Sequence, residues 1–198
     1  GAARFVATCT CANADVLRAR HPRPDDVHAI YHGLDTQWFS PRPGAASDEA
    51  PLVLSVGRLV EKKGFDRLIA ACALLKARGA NFRCVIVGED GSAGPALRAQ
   101  IEALNVADRV HLYGAVTQDR LREIYRGARA FALPCRVMED GDRDGFPNVL
   151  AEAMAARTPV LALDGPGVRD VTTDENGRLL PADALESDFA AALADIAQ

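Results

Sequence analysis

Short runs of valine, leucine and isoleucine alternate along most of this chain with segments whose apolar residues recur every three or four positions. The runs are "PLVLSVG" (51–57), "FRCVIVGE" (82–89), "RVHLYG" (109–114), "AFALP" (130–134), "PVLAL" (159–163) and "GRLLP" (177–181). Between them lie "FDRLIAACALLKARG" (65–79), "PALRAQIEALN" (95–105), "QDRLREIYRGA" (118–128), a helix from about Pro147, and a terminal helix from about Leu185. Near-continuous apolar strands followed by amphipathic helices read as βαβ units on a sheet buried on both faces. The pattern predicts an α/β domain over 51–198, a doubly wound, Rossmann-like parallel sheet with helices on both faces and ligands expected at the carboxyl edge of its strands.

The first forty residues read differently. "RFVATC" and "VHAIYHG" predict strands around a short helix at 13–20, too little for a core of its own. "SPRPGAASDEAP" (40–51) has the composition of a linker. Residues 1–40 are thus expected to be the tail of a preceding domain and 41–50 an interdomain linker.

One segment combines structure with chemistry. In "RDGFPNVLAEAM" (143–154), Gly145 supplies a turn and Pro147 suits the first helical position. Val149, Leu150, Ala153 and Met154 form an apolar stripe, while Asn148 and Glu152, four apart, share another face. The backbone N–H groups of Asn148, Val149 and Leu150 are then expected to be free at the helix end, an anion site. A carboxylate beside a phosphate repels it, so Glu152 makes sense there as an acceptor for a neutral part of the same ligand, such as a ribose diol. The alternative is a glutamate that merely complements the helix dipole. After the first strand of the domain, "VGRLVEKKG" (56–64) puts Arg58 and Lys63 in one loop, a fork and a point charge able to converge on a diphosphate, or simply two solvated cations. "GEDGSAG" (88–94) lacks dinucleotide or P-loop spacing and reads as an ordinary turn.

Charge and cysteine content narrow the classes. With 23 basic and 27 acidic residues among 198, the formal charge is −4, so no overall field recruits nucleic acid or an anionic membrane. No apolar run approaches the length of a membrane span, and no leader pattern opens the sequence. A soluble cytoplasmic protein is expected, with Cys9, Cys11, Cys72, Cys84 and Cys135 as reduced thiols and no zinc or other metal site.

Taken together, "VGRLVEKKGFDRLI", "HLYGAVTQDRLREIYRGARAFALP", "DGDRDGFPNVLAEAMAARTPV" and "NGRLLP" resemble, in order and spacing, the C-terminal half of a family-4 retaining glycosyltransferase of the GT-B fold. "CTCANADVL" and "IYHGLDTQWFSP" resemble the segment joining that family's two domains. The resemblance implies that Arg58 and Lys63 bind the donor diphosphate and stabilise the leaving nucleotide without a metal. Asp144 and Glu152 fall on the family's two acids, Asp144 toward the donor sugar and Glu152 on the ribose hydroxyls. Phe146 and Asn148 would line the sugar and phosphate site, Val116 would lie beside the base, and Gly57 would let the donor approach the first strand.

The same resemblance implies no cofactor and a nucleotide diphosphate sugar, UDP- or GDP-linked, as donor. The acceptor hydroxyl would be held by the missing N-terminal domain, without which the chain should barely turn over, and any membrane contact would come through that half. Three departures stand out. Asp144 replaces the family's usual glutamate, Asp170 in "GVRDV" stands where glutamate is common, and Arg157 replaces a frequent glycine. "DGDRDG" (140–145) resembles relatives that build cell-surface polysaccharides, or is a flexible acidic loop. None of His21, His28, His32 or His111 matches the family's acceptor-side histidine, and none is assigned catalysis. The competing classes are a GT-B epimerase or phosphorylase and a non-catalytic nucleotide-binding module.

Overall fold

The structure, a computed structural model, describes residues 4–41 and 50–197. The stretch read as a linker lies, at 42–49, outside the described residues. Every apolar run of the domain forms a strand: β3 (Leu52–Val56), β4 (Arg83–Val87), β5 (Val110–Leu112), β6 (Ala130–Leu133), β7 (Val160–Leu163) and β8 (Gly177–Leu180). They make one six-stranded, wholly parallel sheet in the order β5-β4-β3-β6-β7-β8. The helices are α3 (Phe65–Ala77), α4 (Gly94–Ala103), α5 (Gln118–Gly127), α6 (Asn148–Ala155) and α7 (Glu186–Ala197).

Alternation along the strands sorts the core into two layers. Val53, Ile86, Ala132 and Leu161 face one side, where Leu68, Ile69 and Cys72 of α3, Leu97 of α4 and Phe189 and Leu193 of α7 pack on them. Leu54, Val56, Phe131 and Val160 face the other, under Leu121 and Tyr125 of α5 and Leu150 and Ala153 of α6. Each such large apolar side chain taken out of water stabilises the fold by about 1.5–3 kcal/mol before entropic costs. Ser55, buried within β3, is tolerated because its hydroxyl donates to the Ala132 carbonyl at 2.6 Å.

Before the domain come β1 (Val6–Thr8), α1 (Cys11–Arg18), β2 (Val27–Ala29) and the short α2 (Thr36–Phe39). β1 and β2 form a separate parallel pair. α1 starts two residues earlier than the expected 13–20, because the Thr10 side chain accepts the Asn13 N–H at 3.1 Å and caps the helix there. α2 packs on α5 and α6, and Phe39 is buried beside Tyr125. No helix among the described residues is long and apolar enough to cross a membrane.

Candidate functional site

The sheet order places a crevice between β3 and β6, where the chain leaves neighbouring strands for opposite faces. Parallel sheets bind ligands at such a point, beyond the carboxyl ends of the strands. The loops that carry the sequence-identified residues, after β3, β5 and β6, all leave the sheet at this edge. β3 runs into Gly57 and Arg58, and a 3-10 turn, Glu61–Lys63, follows. Gly64 then turns with φ of 66°, and a Cβ on it would stand 1.9 Å from the Pro134 carbonyl oxygen, so only glycine lets this loop press against the end of β6. Gly57 likewise leaves room for Lys63, whose Cε would lie 3.0 Å from an added Cβ.

The two cations differ in state. Arg58 is exposed and makes no hydrogen bond among the described residues through its side chain. Lys63 is largely buried and paired with Asp144 at 2.5 Å. The Cys135 thiol, pushed well up by burial and then by the Asp144 charge, stays protonated and donates to the same carboxylate at 3.3 Å. The loop carrying Asp144 is tied to the cation loop at further points. Lys62 pairs with Asp142 at 2.9 Å, and Arg136 grips Asp66 through 2.5 and 2.6 Å contacts while its N–H donates to the Lys62 carbonyl. Chiefly through the Lys62 bond, and with a smaller contribution from Arg58, the Asp142 carboxyl lies below its ordinary range.

On the far side of the crevice α6 begins at Asn148. Pro147, expected as the first helical residue, is instead its N-cap, with φ −82° and ψ 91°. The expected three free N–H groups are corrected to two. Leu150 donates to the Pro147 carbonyl at 2.9 Å, and its side chain is fully buried, so only Asn148 and Val149 can offer N–H groups outward.

The Asn148 side chain meets His32, whose Nδ1 lies 2.8 Å from Oδ1 and donates to it. The rings of His32 and Tyr31 both lie 5.6 Å from that of Phe146. Sequence reading named His32 but gave it no role, and its place beside Asn148, 116 residues later in the chain, was not legible locally.

Glu152 lies one turn into α6, half-buried, and burial raises its carboxyl above the ordinary range. A hydrogen bond from the Tyr125 hydroxyl to Oε2, at 2.9 Å, partly offsets that shift. Tyr125 was missed, although a tyrosine on the apolar stripe of a helix signals a hydroxyl that needs a partner.

Val116 lines a cavity of about 220 Å³ with Val56, Gly57, Arg58, Val87 and Leu121. That volume suits part of a ligand rather than a whole one. Larger hollows, about 380 Å³ between α3 and α4, about 480 Å³ around Thr158 and Asn176 and about 240 Å³ beside Arg83 and Tyr113, gather none of Arg58, Lys63, Asp144 or Glu152. The Lys63–Asp144 pair and the shared strand edge, not volume, mark the candidate site. Among the described residues no group of three His, Cys, Asp or Glu side chains is placed to hold a metal ion.

The chain has clear relatives. A family model described as "Glycosyl transferases group 1" matches residues 36–198. WcaL of Escherichia coli, named for glycosyl transfer in colanic acid biosynthesis, is 37% identical over 153 residues, which are 75% of this chain and 37% of that protein. A GDP-mannose-dependent alpha-(1-6)-phosphatidylinositol monomannoside mannosyltransferase of Mycobacterium tuberculosis is 37% identical over 139 residues, covering 66% of this chain and 36% of that one. The crystal structure of HepE of Anabaena in complex with UDP and glucose superposes with a TM-score of 0.81 at 21% identity, over 98% of this chain and 53% of that one. At such identity the last comparison speaks for the fold. The chain spans less than half the length of the curated relatives it matches.

Proposed function

The chain belongs to the group 1 glycosyl transferases, and from that premise we propose that it is the donor-binding half of a retaining enzyme that moves a sugar from a nucleotide diphosphate to an acceptor hydroxyl. The observation that supports the proposal is the Lys63–Asp144 pair, which joins the loop after β3, carrying Arg58, to the loop that leads into α6, where Glu152 lies one turn in.

Each group then has a task. Arg58 and Lys63 take the diphosphate, joined by the N–H groups of Asn148 and Val149, and they stabilise the negative charge that grows on the departing nucleotide. Glu152 accepts from the ribose hydroxyls, and the cavity beside Val116 takes the base. Asp144 exchanges its bond to Lys63 for the donor sugar's hydroxyls as the diphosphate claims the lysine. Phe146 borders the sugar. Residues 51–198 form the donor domain, 1–40 the end of an acceptor domain, and 41–50 their linker. The acceptor groups would come from that absent domain, so this chain binds donor but barely turns it over. A UDP- or GDP-sugar is the proposed donor and cytoplasmic cell-surface polysaccharide or glycolipid synthesis the proposed setting, supported by the names of the relatives.

Calorimetric titration with UDP, GDP and ADP tests this. One nucleotide should saturate the chain, and Arg58→Ala with Lys63→Ala should weaken it roughly a hundredfold, the loss of two charge-assisted contacts. Undiminished binding by that double variant would remove both residues from the site.

A further inference from the structure

Glu152 is half out of water, yet a carboxylate that reads a pair of hydroxyls must keep one orientation. Tyr125, on the apolar stripe of α5 and fully buried, reaches it from the core. Its ring is held edge-on by Phe39, with centroids 5.9 Å apart at 82°, and lies tilted against Phe131 at 5.7 Å. The hydroxyl crosses to α6, donating to Glu152 Oε2 at 2.9 Å with the Val149 carbonyl at 3.3 Å. Glu152 Oε1 makes no hydrogen bond among the described residues. A purely structural tyrosine needs one acceptor, and the Val149 carbonyl would serve; here the closer acceptor is the carboxylate.

We infer that Tyr125 is a positioning residue, which ties one Glu152 oxygen to the core and leaves the other turned to the two hydroxyls of a ribose-like diol. The inference rests on the reading of Glu152 as the diol acceptor. Burial, with the Glu152 charge beside it, holds the Tyr125 hydroxyl protonated well above the ordinary range, so it remains a donor. Its bond also opposes the effect of burial on Glu152, which alone favours the neutral acid, a poorer acceptor.

The test is titration of the chain with UDP and GDP as wild type, Tyr125→Phe, Glu152→Ala and the double variant. Phenylalanine keeps the ring and its packing, and thermal melting checks that it does. Tyr125→Phe should weaken nucleotide binding about three- to tenfold. It should also move the acid limb of binding to higher pH and have no further effect once Glu152 is alanine. The same loss in both backgrounds, or none in either, overturns the inference. Wild-type affinity in Glu152→Ala, or no nucleotide binding at all, means instead that the reading of Glu152 has failed. Phe39→Leu disturbs the ring without removing the hydroxyl. If it moves the acid limb as Tyr125→Phe does, packing alone is responsible and the positioning role is lost.

Discussion

Burial raises the Glu152 carboxyl, and the Tyr125 bond only partly offsets it. The native state therefore holds that proton more tightly than the unfolded chain does. Stability falls as pH rises from the ordinary carboxylate range through the raised value, and the penalty is complete above it. Glu152→Gln, which cannot ionise, should melt higher than wild type at neutral pH, the gain fading as acid protonates the native glutamate. The same variant should bind nucleotide more weakly, and melting and titration run in parallel check both. Lys63 and Asp144 set a second balance, since their side chains are only 16% and 14% exposed. Removing either partner strands the other, at about 1–3 kcal/mol each after allowing for residual solvent. Lys63→Ala with Asp144→Ala should therefore cost less than the sum of the single changes in urea unfolding. Asp144→Asn alone should tighten UDP or GDP binding about threefold or more, because it frees the lysine and removes a repelling charge.

Among the elements, α6 ends in a conformation that its sequence resists. Arg157 follows the helix with φ of 58°, a left-handed position in which an added side chain is strained and glycine is the usual choice. Its side chain is exposed, so little packing is lost on its removal. Arg157→Gly should stabilise the chain by about 0.5–1 kcal/mol. That corresponds to a melting temperature roughly 1–4 °C higher for a domain of this size. The departure from the family's glycine was legible in the sequence, but its meaning required the backbone angle. The same holds more widely. Apolar runs announced all six strands of the domain and the helices between them: β3, β6 and β7 are buried throughout, and even the edge strands β5 and β8, which expose His111 and Arg178, keep enough apolar positions to be read. Strand order was not legible, since such runs carry no mark of which neighbour they join. "QDRLREIYRGA" announced a helix but not the partner of the Tyr125 hydroxyl, which lies 27 residues away. Arg58, Lys63 and Glu152 could be named because loops and helix starts after strands share one edge of a parallel sheet, and Asp144 was named through the family resemblance alone. The contact of His32 with Asn148 was not legible, because the chain brings His32 there from outside that sheet.

At the scale of the molecule, residues 4–41 lean on the domain mainly through polar contacts beside the candidate site. The Asp170 carboxylate accepts the Cys11 N–H at 2.8 Å, at the start of α1, and the Tyr31 hydroxyl at 3.3 Å. Arg143 reaches Asn13, and His32 reaches Asn148. The apolar anchor is Phe39, buried against Tyr125 at the other end of the segment. Such an arrangement separates a firm end from a looser one, because exposed polar contacts open at lower cost than buried apolar ones. Asp170→Ala removes the acceptor at the α1 start and the Tyr31 partner together, a loss of about 1 kcal/mol at the helix end alone. Amide exchange should then quicken across α1 and residues 28–34 while the central strands of the sheet and α2 keep their protection. A nucleotide that docks on Asn148 and Val149 should act in the opposite sense, slowing exchange at 143–150 and, through His32 and the rings on Phe146, at 28–34 as well. If nucleotide protects 143–150 while 28–34 exchanges unchanged, the two regions touch without coupling. If Asp170→Ala instead loosens the sheet, the segment is part of the domain's cooperative core rather than a piece resting on it.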